Sequence, residues 1–287
     1  MKKHLLFIAV LAAVASVSCT KDRSLRTEVR EYSDSTAHSY LTIHAELPVP
    51  TSSASKQIRA ELIDVLDRQL SHITFGEEER YFPRYEGDEN DTDALMGYYK
   101  DQTLALIGRL SQEDADERER YLEEDILPEM PSWGYDFTLK KVADTLGFVV
   151  FMSQNYIYMG GAHGGITGEG YITFDLKSGR RVDPVLDPAC TDSIQSLLEK
   201  GLLDYYSEYG ETMTTEALRE RLQIEGDMIP LPSWTPYPCK EGLTFIYQQY
   251  EIACYADGMP SFTIPYQDIK PFLTPEAKAL LERAINR

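Results

Sequence analysis

The chain has 287 residues, with 28 lysines and arginines against 47 aspartates and glutamates, and a formal net charge of −19 at neutral pH. A surface of that sign repels phosphate backbones, which excludes nucleic-acid binding as the basis of its function and favours cationic partners. With 43% hydrophobic residues the chain can build a core, so the expectation is an acidic globular body.

The chain opens with Lys2 and Lys3, an almost wholly apolar run from Leu5 to Val17, and the small residues Ser16-Val17-Ser18 before Cys19. That order predicts a secretory signal peptide over 1–18. Its apolar run is too short to span a bilayer, which takes roughly 20 residues. Cys19 stands where bacterial lipoproteins are cleaved and acylated, so lipidation at Cys19 is expected. The body would then sit in the cell envelope, lipid-anchored and facing the periplasm or the cell exterior. Cleavage removes two of the 28 basic residues and no acid, leaving 26 against 47, a net of −21. Residues 19–38 are polar and mixed and read as a lipidated, flexible linker. No later segment is long and apolar enough to cross a membrane.

Beyond the linker, Tyr40–Leu47 alternates apolar and polar residues, the pattern of a half-buried strand. Ser53 or Ser55 can cap a helix whose apolar residues, Ile58, Leu62, Val65, Leu66 and Ile73, recur at helical spacing. An acidic, aromatic loop follows over Glu77–Asp93. A second helix carries Leu95, Tyr99, Leu106 and Leu110, and Ser111–Asp125 reads as a separate, highly charged helix ended by Pro128. Strands are predicted over Trp133–Thr145, Phe148–Met159 and Gly170–Leu176, joined by Leu146-Gly147 and by the glycine-rich turn Gly160–Gly165. Short turns between consecutive strands predict an antiparallel meander. Helices follow over Thr191–Tyr206 and Thr214–Gln223, then strands over Leu243–Tyr250 and Ser261–Pro265. Thr274 caps a last helix with Pro275 in its first turn. Helices and strands in separate runs indicate an α+β fold, helices packed on an antiparallel meander sheet in two sequential subdomains.

Two clusters stand out. The turn Gly160-Gly161-Ala162-His163-Gly164-Gly165 allows positive φ and could expose several N–H groups to an anion. It lacks the Lys-Ser or Lys-Thr of a phosphate loop, and a strand rather than a dinucleotide-binding helix follows it. His163 could serve as a general base or a ligand. A metal site needs three or four ligands, and His38, His44 and His72 have no ligand spacing to a second histidine. Neither metal nor cofactor is therefore expected, and the plainer reading of His163 is a side chain that holds a tight turn. The second cluster runs from Tyr250 to Gly258, with Glu251 and Tyr255, and is followed by Ile264-Pro265-Tyr266. Its aromatic faces suit contact with a sugar or a protein. Glu251 could be a catalytic acid, but glycosidases need an opposed second carboxylate. A structural glutamate bonded to backbone amides is the alternative. No nucleophile elbow or zinc-protease motif occurs. Cys190, Cys239 and Cys254 follow Cys19 in the chain; one disulfide is possible in an oxidising compartment, and Cys239 with Cys254, flanking one predicted strand, is the pair considered.

Taken together, Tyr158-x-Gly160-Gly161-Ala162-His163-Gly164, Thr173–Gly179, Tyr250-Glu251-Ile252-Ala253-x-Tyr255-Ala256-x-Gly258 and Ile264-Pro265-Tyr266 resemble the RsiV-like C-terminal domain of unknown function. The preceding region is similar to the N-terminal domain of PdaC-type peptidoglycan deacetylases. The resemblance divides the body into a PdaC-type N-terminal-like domain over 39–165 and an RsiV-like C-terminal domain over 166–287. It implies an α+β body that binds a protein or glycan without catalysis, with lysozyme or peptidoglycan as the partner. Lysozyme is basic, so the charge agrees. Glu77–Asp93 and Gly160–Gly165 are the candidate contact regions, and Gly160, Gly161, His163, Gly164, Tyr250, Glu251 and Tyr255 the candidate binding or structural residues. The alternative is an envelope glycan hydrolase with Glu251 and His163 as acid and base. A lipid anchor in place of the membrane-spanning helix of RsiV implies capture at the surface rather than signalling inward.

Overall fold

The structure, a computed structural model, describes residues 24–36, 38–73, 80–121, 133–160, 165–207 and 212–285. It is the α+β body expected, with a five-stranded sheet in the order β1-β2-β3-β4-β5 and a three-stranded sheet in the order β6-β7-β8. Among the described residues no helix is long and apolar enough to cross a membrane. The first sheet comprises β1 (Thr27–Ser35), β2 (Ser39–Pro48), β3 (Trp133–Thr145), β4 (Phe148–Tyr158) and β5 (Ile166–Asp175). The second comprises β6 (Tyr237–Pro238), β7 (Gly242–Ile246) and β8 (Ser261–Pro265).

Strand β1 corrects the reading of residues 19–38 as a flexible linker. Its nine residues pair antiparallel with β2 from Thr27↔Pro48 to Ser35↔Tyr40. The strand is an edge and mostly half-exposed, so its side chains stay polar, and polarity alone reads as linker. The meander is also incomplete: β2 pairs with β3 in parallel, from Ser39↔Trp133 to Ala45↔Leu139. A parallel pair needs a crossover, and α1 (Ser53–Ser71) with α2 (Thr92–Tyr121) supplies it.

The N-terminus of α1 is set by a reciprocal capping box. Ser52 Oγ accepts from Ser55 N at 3.1 Å, and Ser55 Oγ accepts from Ser52 N at 2.8 Å. The described part of the predicted charged helix continues α2 through residue 121, making one helix of 30 residues, because nothing in that stretch breaks it. The two helices bury Ile58, Leu62, Leu66, Leu70, Leu95, Tyr99 and Ile107 against Leu41, Ile43, Leu47, Tyr135, Phe137, Leu139, Val149, Phe151, Ile172 and Phe174 of the sheet. Burying side chains of this size contributes about 1.5–3 kcal/mol each, which makes this layer a major source of stability.

Arg59 pins the layer at one end. It is 3% exposed and donates to Pro48 O, Glu89 O, Thr92 Oγ1 and Glu28 Oε1 at 2.7–3.1 Å. One guanidinium thus ties β1, β2, α1 and α2 together, using its fixed fork of donors.

Strands β3 and β4 join through a two-residue turn in which Leu146 (φ 50°) and Gly147 (φ 79°) are both left-handed. That backbone suits the right-handed twist of the hairpin. Strand β5 begins at Ile166, four residues before the predicted start, because Gly168 and Gly170 pair with Asn155 and Ser153 despite lacking side chains.

A second core lies on the other side of the sheet. Phe148 leaves the first cluster and packs with Val182, Leu198, Leu202, Leu243, Phe245, Tyr247, Ile252, Ile264 and Leu281. Most of these come from α3 (Gln195–Ser207), α6 (Pro275–Ile285) and the second sheet, and Val182, Tyr247 and Ile252 from the connecting segments; α4 (Thr215–Arg221) and α5 (Tyr266–Ile269) complete the helices of this part of the chain. Apart from Phe148 of β4, the buried residues of the second core lie from Val182 onward, and β4 and β5 pair antiparallel within the first sheet. Among the described residues Cys190, Cys239 and Cys254 are free thiols, which corrects the considered Cys239–Cys254 bridge.

Candidate functional site

The two sequence clusters meet at the free edge of β5. Side chains complete that edge where a sixth strand would lie. Gln248 Oε1 accepts from Glu169 N at 2.8 Å, and Gln248 Nε2 donates to Glu169 O at 2.9 Å. Gln249 Oε1 accepts from Thr167 N at 3.0 Å. Tyr255 Oη donates to Gly165 O at 2.8 Å. Two side-chain amides and a phenol thus satisfy an edge that would otherwise invite pairing with another chain.

The segment that supplies these groups is fixed at both ends. Glu251 accepts from Ser233 N at 2.5 Å and from Gln248 N at 2.6 Å, one bond to each carboxylate oxygen. Asp257, whose side chain is 3% exposed, pairs with Arg221. Arg221 in turn stands 4.7 Å from the centre of the Tyr206 ring, and burial pushes the Tyr206 hydroxyl up to about 12. Tyr205 Oη donates to Asp257 O at 3.1 Å. Gly258, at φ 69°, closes the turn.

Within this rigid turn Tyr250 points outward. Its backbone is left-handed, φ 64°, and the residue is 60% exposed. Left-handed backbone costs a non-glycine residue about 1–2 kcal/mol. The ring centre of Tyr255 is 5.7 Å away. Further along β5 the chain passes round the edge. Trp234, 46% exposed, lies over Gly170, where an added Cβ would meet its ring at 2.8 Å. Tyr237 stacks on Tyr171 at 3.9 Å. Gly170 and Tyr171 are consecutive and face opposite sides of the sheet, so the chain straddles the strand between Trp234 and Tyr237. Ile166 at 37% and Met159 at 36% exposure add apolar surface beside the turn. Tyr250, Tyr255 and Trp234 therefore present a rigid aromatic rim along one strand edge.

Of the predicted site residues, Tyr250, Glu251 and Tyr255 come together here, and Gly160 lies at the described end of the adjoining turn with φ 75°. Cys19, Gly161, His163 and Gly164 lie outside the described residues, as does Glu77. Glu251 takes the structural role of amide acceptor. The described part of the acidic loop, residues 80–93, is strapped to the helices. Arg80 pairs with the 3%-exposed Asp67, Arg84 with Asp64 and Glu89, and Asp93 with Arg30. Tyr98 Oη also donates to Pro83 O at 2.6 Å. Burial opposes ionisation of Asp67, but hydrogen bonds from Arg80 and Tyr99 outweigh it and hold the carboxyl below its usual value. Four of the seven charges at the described residues of this loop, Arg80, Arg84, Glu89 and Asp93, are thereby engaged within the chain. Among the described residues no three histidine, cysteine or carboxylate side chains gather as a metal site.

Sequence reasoning passed over Trp234, Gln248 and Gln249. The alternating prolines Pro230, Pro232, Pro236 and Pro238 were the available signal, since such a run is extended and cannot enter a helix. Two consecutive glutamines carry no periodicity that marks them as an edge clip.

The segment that builds this edge is also where the sequence matches a family model. Residues 230–267 match the family described as "Protein of unknown function (DUF3298)". No curated protein matches the chain. Among solved structures, a DUF3298 family member from Bacteroides fragilis superposes with a TM-score of 0.66 at 19% identity, covering 92% of this chain and 98% of that one. A DUF3298 family protein from Pseudomonas aeruginosa gives a TM-score of 0.57 at 16% identity, covering 88% of this chain and 96% of that one. The chain is thus similar to DUF3298 proteins in fold across nearly its whole length, and in sequence over 230–267.

Proposed function

We propose that this protein is a non-enzymatic, lipid-anchored component of the bacterial cell envelope that captures a protein or glycan through the aromatic rim at the edge of β5. The observation that carries the reading is Tyr250, a large ring held 60% exposed at φ 64° on a turn locked from both sides. Such a ring contributes little to the core. A rigid aromatic face binds at small cost in side-chain entropy, and local backbone strain tends to collect at binding sites.

Charge narrows the partner. The net charge of −19 favours a basic protein such as lysozyme, in keeping with the RsiV-like resemblance; aromatic faces also suit the sugar rings of peptidoglycan. Lipidation at Cys19 would keep the body at the membrane surface, where both ligands are met. The hydrolase reading finds less support, because both carboxylate oxygens of Glu251 are engaged by backbone amides. A general acid needs a proton and a free path to substrate.

The test is a pull-down followed by calorimetry at low salt, with lysozyme and with soluble peptidoglycan fragments. Saturable binding to one of them supports the reading, and absence of binding to both rejects it. Glu251→Gln is expected to lower stability without abolishing binding.

A further inference from the structure

A second feature lies far along the sheet from the aromatic rim. A cavity of about 480 Å³ opens where the two cores meet. Ser24–Arg26, the start of α1, Gly147, the end of β5 and α6 surround it. Its volume is that of a small-molecule site. Leu25, Leu176 and Leu280 supply apolar wall, and Thr51, Ser52 and Ser55 supply hydroxyls.

The charges at this cavity oppose those of the whole chain. Arg26, Lys177 and Arg283 line it, with Asp175 as the one acid. Asp175 is already engaged: it accepts from Lys177 N at 2.9 Å, Ser178 Oγ at 3.0 Å and Arg283 Nη2 at 3.2 Å. Arg26 and Lys177 have no acid partner among the described residues, and both are exposed. The lining is therefore net positive by two in a chain of −19. The first turn of α1 faces the same space and contains no acid, so its partial positive charge adds to theirs.

We propose that this cavity binds an amphiphilic anion, a phosphate or carboxylate head held by Arg26, Lys177 and Arg283 with an apolar body against Leu25, Leu176 and Leu280. Two cations without an acid partner, Arg26 and Lys177, beside an Arg283 already bonded to Asp175, line one mouth and suit an oxyanion, and the leucines favour a ligand with an apolar body over a purely inorganic ion. The head could belong to a soluble metabolite or to a membrane lipid. Ser24 lies five residues from Cys19, a span of at most about 18 Å, so a lipid tether would hold the cavity near the headgroups.

The experiment uses the mature chain in about 0.15 M salt, where non-specific attraction is screened. Octyl phosphate is titrated by calorimetry, and sedimentation is measured with vesicles of phosphatidylcholine alone and with added phosphatidylglycerol. Wild type is compared with R26Q/K177Q, whose exposed positions leave folding intact by thermal melt, and with the remote variant R109Q. Saturable octyl phosphate binding, weakened at least about ten-fold in R26Q/K177Q and unchanged in R109Q, supports the site and a soluble ligand. Sedimentation with the anionic vesicles only, lost in the same double variant, supports the site and a lipid headgroup. No binding of either probe, or equal binding by the double variant, overturns the proposal. Neither result depends on the aromatic rim, which lies elsewhere.

Discussion

Gln248→Ala removes the clip that completes the β5 edge. Two hydrogen bonds disappear, the one Gln248 Oε1 accepts from Glu169 N and the one Gln248 Nε2 donates to Glu169 O, at 2.8 and 2.9 Å in the wild type. Each is worth about 0.5–1.5 kcal/mol net, and the edge is half-exposed, so water replaces part of the loss. The expected destabilisation is about 1–2 kcal/mol, a drop in melting temperature of roughly 2–4 °C per kcal/mol for a chain of this size. Urea unfolding gives the total, and amide exchange gives the location: Glu169 should lose protection while Phe151 and Ile172 keep theirs. Gln248→Glu is the sharper variant. It keeps an acceptor for Glu169 N but turns a second carboxylate oxygen toward Glu169 O, so it should cost at least as much as alanine. Wild-type stability and protection in Gln248→Glu would refute the claim that this amide stands in for a strand.

Further perturbations test other parts of the account. Tyr250→Gly relieves left-handed backbone worth about 1–2 kcal/mol but frees the unfolded chain by about 0.4–1 kcal/mol, so stability should hold or rise by up to about 1.6 kcal/mol in urea unfolding. Leu146→Asn places a residue tolerant of φ 50° in the β3–β4 turn but withdraws a half-buried leucine from the second core, so the two effects, each about 1 kcal/mol, should nearly cancel and leave the melting temperature within a few degrees of wild type. Asp67→Asn should cost about 1–3 kcal/mol at pH 7. Because the folded carboxyl lies below its ordinary 3.8, the wild-type contribution is complete above that value and fades as pH falls through the lowered one. The gap between wild type and Asp67→Asn should therefore close on acidification; a gap constant from pH 7 to pH 3 would contradict the assigned partners.

Most elements were legible because their periodicity is strong. The alternation of Leu41, Ile43, Ala45 and Leu47 and the helical spacing of Ile58, Leu62, Val65, Leu66 and Ile73 mark faces that end in one core. Strand β1 was not legible, since an edge strand with one half-exposed face needs few apolar residues. The parallel pairing of β2 with β3 was not legible either, because pairing direction depends on the crossover and leaves no pattern within either strand. The site was half legible. Tyr250, Glu251 and Tyr255 stood out by composition, and the amide-bound role of Glu251 was one of its two readings. Trp234 and Gln248 act through contacts across the β5 edge that only the folded chain brings about. The inter-core cavity gathers Arg26, Lys177 and Arg283 from distant parts of the sequence, and each alone is an ordinary surface cation.

The aromatic rim, rather than a reactive carboxylate, is the proposed partner surface of this chain. The most direct measurement is a calorimetric titration of wild type and Tyr250→Gly with lysozyme and with peptidoglycan fragments at low salt. The account predicts saturable binding of one ligand by wild type and at least about ten-fold weaker binding by the variant, about 1.4 kcal/mol, with no loss of thermal stability. Equal affinity in the two proteins, or no binding by wild type, would contradict it.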